Sequence, residues 1–360
     1  MDVTSVDHVE LWVGDAQQTA FFLCTAFGFQ LHGQGGPETG LPGQRSLLLG
    51  QGRTRLLLTS GLTADHPATR HVGRHGDGVA CVAMSTSDAT KTYEEAIRRG
   101  ARSVAEPTLW RRGDAEVVTA TISGFGDVTH RLVERRATDE FLPGAIAPVP
   151  PAGPGAPAPG PLDAVDHLAV CVPAGELDAT VATYLEVLDF EEIFEERIEV
   201  GAQAMLSKVV QSHSRGVTFT IIAPDPTAQP GQIDDFLRAH DGAGVQHLAF
   251  STPDIIGAVD ALSQRGVRFL TTPAGYYDQI EARLGRTDRP AEQLRAANVL
   301  VDRDHWGEMF QIFTEAAFVR RTLFFELLER HGALTFGTNN IRALYEAKER
   351  ERNRTLEGTP

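Results

Sequence analysis

Residues 6–13 read VDHVELWV and residues 165–172 read VDHLAVCV, and these two copies of one phrase decide the fold. Each alternates apolar and polar positions as a strand does when its two faces meet different surroundings. The residues after each copy are also alike. TAFFLCTAFGF runs up to Gln30 and ATYLEVLDF runs up to Glu191, both with helical spacing. Further on, GDGVACVAMSTSDA from Gly76 is answered by GAGVQHLAFSTPDI from Gly242, each a strand entering a capped helix. FGDVTHRLVE from Phe125 is matched with WGEMFQIFTE from Trp306 as the closing strands. The repeated unit is therefore strand, helix, strands, and four βαβββ units, two in each half, are expected in an α+β chain.

Between Pro143 and Pro161 the sequence is PGAIAPVPPAGPGAPAPGP, which can hold neither a helix nor a central strand and is expected to act as a semi-rigid spacer. The expected division is a first domain over 1–142, a linker over 143–162 and a second domain over 163–360. With 360 residues and 42% apolar content, each half can bury a core. The net charge of −15 disfavours nucleic acid and anionic membrane as partners and leaves small molecules. Cys24, Cys81 and Cys171 are odd in number and far apart, which argues against a disulfide framework and fits a reducing cytoplasm. No basic-then-apolar leader and no membrane-length apolar run is visible.

His167 and His247 stand on apolar, alternating stretches at equivalent openings of neighbouring units of the second half. A single histidine in such text is more often a satisfied core residue. A pair facing one interior suits a metal, and two histidines with one carboxylate leave half an octahedron open for ligands. Glu326, in RTLFFELLERHG, is the candidate carboxylate, because burying it among phenylalanines and leucines demands a compensating charge. The alternative for this stretch is a short helix in which Glu326 pairs with Arg330 four residues on. In the first half His8 answers His167, Cys81 answers His247, and no acid occupies a matching place, so that half is expected to be structural and without metal. His213, His240, His305 and His331 lie in polar text and are expected to be exposed.

The paired βαβββ plan resembles the vicinal oxygen chelate superfamily, whose units curl into open barrels around a metal. GAGVQHLAFSTPDII, LVDRDHWGEMFQIFTE, RRTLFFELLERHG and FGTNNIRALYEAKERER, together spanning roughly residues 240–350, resemble the 4-hydroxyphenylpyruvate dioxygenase family. That resemblance implies two open-barrel domains; the stretch from Thr338 has helical spacing with Ile341, Leu344 and Tyr345 on one apolar face, and the mouth of the second barrel is a candidate for what this C-terminal lid helix covers. The resemblance implies Fe(II) held by His167, His247 and Glu326 as the catalytic and metal residues. It also implies a substrate pocket with polar Ser207, Gln232, Gln246 and Gln311 and aromatic walls from Phe313, Phe324 and Phe336. The implied partners are 4-hydroxyphenylpyruvate and dioxygen, with a homodimer as the candidate assembly and the cytoplasm as the compartment.

The chain departs from the family text in two places. Where dioxygenases read Pro-Ile-Asn-Glu-Pro, this chain has Thr220, Ile221, Ile222, Ala223 and Pro224; where they read Gly-Asn-Phe, it has Asn339, Asn340 and Ile341. An amide and a phenyl ring are lost and a hydroxyl is gained. These changes resemble the branch of the family that hydroxylates the benzylic carbon to give 4-hydroxymandelate, a precursor of hydroxyphenylglycine in peptide antibiotics, rather than the ring to give homogentisate. A metal-free binding or resistance protein on the same barrels would not need the triad, and an extradiol ring-cleaving enzyme would need a further histidine as base beside the metal.

Overall fold

The computed structural model describes residues 1–150, 160–337 and 340–344. The middle of the spacer, Thr338, Asn339 and the expected lid helix from Tyr345 onward lie outside the described residues. In the first half, β1 (Ser5–Trp12), α1 (Ala16–Phe22), β2 (Gln30–Gly35), β3 (Gln44–Gln51) and β4 (Thr54–Gly61) make one unit. After α2 (Pro67–His75) come β5 (Gly78–Ser85), α3 (Ala89–Arg98), β6 (Ser103–Arg112), β7 (Ala115–Ser123) and β8 (Thr129–Arg136). A two-residue β9 (Ala147–Pro148) pairs with β2 at the edge. In the second half the units are β10 (Val165–Cys171), α4 (Leu177–Leu188), β11 (Glu191–Val200), β12 (Gln203–Gln211), β13 (Thr218–Pro224) and, after α5 (Gln232–His240), β14 (Gly244–Ser251), α6 (Ile255–Gln264), β15 (Leu300–Arg303), β16 (Glu308–Phe313) and β17 (Phe324–His331). Short helices α7 (Ala274–Asp278), α8 (Ile280–Leu284) and α9 (Ala291–Ala296) intervene between α6 and β15.

The two sheets repeat one topology, β6-β7-β8-β5-β1-β4-β3-β2-β9 and β11-β12-β13-β10-β14-β17-β16-β15 read in opposite senses. At each centre, strands antiparallel to one another (β1 with β5, β10 with β14) are flanked by parallel partners (β8 and β17). The register corrects the expected pairing of closing strands. β8 answers β17, so FGDVTHRLVE corresponds to RTLFFELLERHG, while WGEMFQIFTE is β16 and answers β7. The inserted helices α7–α9 and the loop after β16 lengthen the last unit and displace the match in sequence.

Strand alternation divides the side chains into two populations. Val9, Leu11, Leu168, Val170, Phe219, Ile221, Leu248, Phe250, Phe325 and Leu327 belong to one continuous core that both halves share with the helices. The residues between them, among them His8, Glu10, His167, Ala169, Thr220, Ile222, His247 and Glu326, are also buried, on the other face of the strands. Each closing strand also caps a helix, since Glu134 accepts the Ala89 amide at 3.1 Å and Glu329 accepts the Ile255 amide at 2.7 Å. The spacer is docked at both ends instead of being solvated: Ala145 and Ile146 are buried, and the Leu162 amide donates to Gln51 at 2.6 Å.

The halves meet partly through α2 and α5. His71 lies 4.6 Å from His75, His75 is stacked 4.6 Å from His240, and His240 is stacked 5.2 Å from Phe236. His240 is therefore buried, against expectation, because its partner comes from the other half and is invisible in local sequence. Burial together with the neighbouring histidines lowers His71 to about 3 and His240 to about 4, and burial lowers His130 to about 4. Asp127 and Arg74 stand beside this column. Because these imidazoles resist protonation in the folded chain and accept it near 6.5 when unfolded, stability is lost as pH falls from 6.5 toward 4. The denaturant midpoint should drop across that window, with a shallower drop in His240→Phe; a midpoint unchanged from pH 7 to pH 5 would contradict the assignment.

Candidate metal centre and its cavity

His167 lies on β10 and His247 on β14, with irregular pairing just before His167 and just after Ala169. Such irregularities re-aim side chains. Glu326 lies on β17 next to Ala249 in parallel register, which disposes of the helical alternative for this stretch. The three converge. Glu326 Oε2 is 3.4 Å from His167 Nε2 and 3.2 Å from His247 Nε2, and one ligand atom from each residue lies within 4.8 Å of the others. Among the described residues this is the one His/Cys/Asp/Glu group so placed to hold an ion.

The surroundings fix the group in place. Asp166 Oδ1 is 2.9 Å from His167 Nδ1, so the ring presents Nε2 toward Glu326. Arg330 in turn grips both oxygens of Asp166 at 2.9 Å. Gln311 donates to the other oxygen of Glu326, Oε1, at 2.7 Å. Burial opposes charge on His167, but the carboxylates of Glu326 and Asp166 overcome it and raise the ring to about 9. Burial likewise opposes charge on Glu326, and the two imidazoles hold it at about 2. A buried carboxylate that draws a proton onto its neighbour is short of one positive charge, and a divalent cation between two imidazole nitrogens and a carboxylate oxygen supplies it. The donor set thus fits a 2-His-1-carboxylate metal.

Register identifies what the first half holds in the same places. Ala83 pairs with His8 and with Arg131 just as Ala249 pairs with His167 and with Glu326. His8, Cys81 and Arg131 therefore stand where the second half has His167, His247 and Glu326. Asp7 and Arg135 repeat Asp166 and Arg330, with a bond of 2.7 Å. Arg131 is 3.2 Å from His8 Nε2 and 2.9 Å from Glu10 Oε2, and Glu10 also accepts from Thr59 at 2.9 Å and Trp12 at 3.1 Å. A guanidinium fills the place of an ion. The sign of the histidine shift is set accordingly: burial and Arg131 lower His8, whereas Glu326 raises His167.

A cavity opens beside Glu326. Of the residues singled out in the sequence, Ser207, Thr220, Ile222, Gln232, Gln246, Gln311, Phe313, Phe324, Phe336 and Ile341 line it with the triad. Asn340 does not; it sits behind Gln311 and donates to its carbonyl at 2.7 Å. Met205 and Ile233 line it without having been singled out, although Met205 shares a face of β12 with Ser207, and Leu344, expected on the apolar face of the C-terminal helix, lines it one helical turn after Ile341. Phe324 is tilted 4.9 Å from His247 and Phe336 meets His167 edge-on at 5.0 Å, so the metal-side wall is aromatic. Thr220 Oγ1 is buried here without a hydrogen-bond partner among the described residues.

Residues 5–129 and 164–312 match the Glyoxalase/Bleomycin resistance protein/Dioxygenase superfamily. A 4-hydroxyphenylpyruvate dioxygenase of Neurospora crassa is 33% identical over 96% of this chain and 90% of its own length. One of Dictyostelium discoideum is also 33% identical, over 96% of this chain and 97% of its own. A solved structure of a triple mutant of 4-hydroxymandelate synthase from Streptomyces coelicolor is 43% identical, covers 98% of this chain and 100% of that one, and superposes with a TM-score of 0.88. No helix among the described residues is long and apolar enough to cross a membrane.

Arg131→Met should strand Glu10 in the first barrel and destabilise the chain by about 3 kcal/mol, with part of the loss recovered by adding Glu10→Met. Denaturant unfolding measures it, and a loss below about 1 kcal/mol would mean that the guanidinium is not the charge on which this barrel closes.

Proposed function

The chain belongs to the 4-hydroxyphenylpyruvate dioxygenase family of the Glyoxalase/Bleomycin resistance protein/Dioxygenase superfamily, whose members are non-haem iron dioxygenases, and from that premise we propose that it converts 4-hydroxyphenylpyruvate and dioxygen to 4-hydroxymandelate and CO2. On this reading His167, His247 and Glu326 hold Fe(II), the second barrel is catalytic and the first is structural. Iron held there supplies an open coordination face on which a 2-oxo acid and dioxygen can meet.

The rest is the work of this chain's own side chains. Phe313, Phe324 and Phe336 flank the substrate and keep water from the metal side, while Ile341 and Leu344 contribute apolar cover from the C-terminal segment. Ser207, Gln232 and Gln246 are the fixed polar groups that orient a phenol and a carboxylate in an otherwise apolar cavity. Which carbon of the substrate the pocket holds nearest the metal site would decide the product, and a displacement of about 1 Å is enough to change it. With Ile222 where an amide would anchor the intermediate and Ile341 where a phenyl ring would wall it, the ring can swing away from the metal and present its benzylic CH2. The unpartnered Thr220 hydroxyl is the single observation that carries this choice, since a new benzylic hydroxyl would satisfy it.

The homogentisate-forming reaction is the second reading, favoured by the names of the 33% identical relatives. A homodimer, a cytoplasmic location consistent with three free cysteines, and a role in supplying hydroxyphenylglycine for peptide antibiotics complete the proposal. Incubation of the Fe(II)-loaded protein with 4-hydroxyphenylpyruvate and oxygen, followed by chromatography, should give 4-hydroxymandelate. Ile222→Asn with Thr220→Pro and Ile341→Phe should divert part of the flux to homogentisate at lower total turnover. Homogentisate as the main product of the unaltered protein would establish the second reading instead.

A further inference from the structure

Glu326 turns Oε2 toward the two histidines and leaves Oε1 to Gln311, whose amide donates to it at 2.7 Å. A carboxylate can only accept, so Gln311 must face it with its NH2 group and turn its carbonyl the other way. That carbonyl is 2.7 Å from the Asn340 amide. The Val301 carbonyl at 3.1 Å and the Asp302 amide at 3.3 Å favour the reversed amide, but reversal would set two carbonyl oxygens 2.7 Å apart against a Gln311 held by the carboxylate, so Asn340 is the donor to Gln311 and directs its own carbonyl onward. The Asn340 carbonyl is 2.6 Å from the hydroxyl of Tyr276, on α7. Tyr276 has a single proton and two acceptors in reach, Asn340 and the Val301 carbonyl at 2.7 Å. Arg283 donates to that Val301 carbonyl at 3.1 Å and the Val301 amide donates to the phenol oxygen at 2.8 Å. With Val301 satisfied by the guanidinium, the phenol proton goes to Asn340. Every link then points the same way, from Tyr276 through Asn340 and Gln311 to Glu326.

We propose that Tyr276 is a positioning residue for the metal centre, acting through this one-directional relay to hold Glu326 as a one-oxygen ligand and to tie the C-terminal helical turn, residues 340–344, to the state of the metal. The proposal rests on the reading of His167, His247 and Glu326 as iron ligands. Asn340 is fully buried, so its two bonds are formed without competition from water, and aligned amide dipoles reinforce one another in such a setting. Arg283 lies over the Tyr276 ring at 4.8 Å and would keep the ring in place if the hydroxyl alone were removed. Asn340 opens the same turn that carries Ile341 and Leu344 into the cavity, so a metal that orders Glu326 also orders part of the substrate's surroundings.

Tyr276→Phe tests the relay. Fe(II) affinity of the full chain, measured anaerobically by competition with a coloured chelator, should weaken about tenfold. Amide exchange at residues 340–344, slowed by Fe(II) in the unaltered protein, should lose that response. In a Gln311→Leu background the relay is already cut, and Tyr276→Phe should then change the affinity by less than about twofold. Tyr276→Phe protein that binds Fe(II) within about twofold of the unaltered chain overturns this proposal alone, as do losses that multiply in the double variant. An unaltered chain that takes up no iron overturns the metal reading and this proposal with it.

Discussion

A carboxylate at the centre of a barrel is the constraint on which the second half of this chain is built. Glu326 is buried among aromatic and aliphatic side chains, and such a charge persists only if its surroundings compensate it. Two imidazoles turn toward one of its oxygens and an amide toward the other. Asp166 and Arg330 orient the first imidazole, and the cavity opens where the remaining compensation has to come from. The first barrel faces the same geometry with the opposite charge. Arg131 at the equivalent position draws in Glu10, and the interior closes as an ion pair with no demand for a metal. One residue on each closing strand thus separates an interior closed by an ion pair from one whose carboxylate faces two imidazoles beside a cavity.

The duplication gives this comparison its force. Asp7 with Arg135 and Asp166 with Arg330 are the same support in two copies, so differences at the centre cannot be put down to a different scaffold. His8 and His167 share their Asp partner, their burial and their place in register, yet their proton affinities move in opposite directions. The neighbour at 131 or 326 is the variable. In the first barrel the clamp also has a packing role, since Arg135 holds the Glu140 and Phe141 carbonyls where the spacer begins.

Much of this was legible in the sequence because it repeats. The VDH phrases placed His8 and His167, the two glycine-led strands placed Cys81 and His247, and alternation put all four on one face. Glu326 was legible only as one of two readings, because four-residue spacing to Arg330 is equally a helical pair; a parallel neighbour in β14 settled it as a strand. Its counterpart Arg131 was missed for a related reason. Three inserted helices move the closing strand far along the chain, and a similar-looking strand one place earlier took the match. Partners that meet only after folding were out of reach altogether: Asp166 with Arg330, His75 with His240, and Asn340 with Gln311. The cavity residues were readable where the family text or the helical stripe carried them, as with Ile341 and Leu344, and Met205 and Ile233 were not, being ordinary apolar residues until the barrel curls.

On the proposed reading a single metal belongs to this chain, and position 326 decides where it sits. Anaerobic titration of the metal-free protein with Fe(II), read by bound iron per chain, tests it most directly. One iron per chain is expected in the unaltered protein and in His8→Ala, with uptake abolished in Glu326→Ala although that variant remains folded by circular dichroism. Iron retained at full stoichiometry by folded Glu326→Ala, or lost from His8→Ala, would place the metal elsewhere and contradict the account.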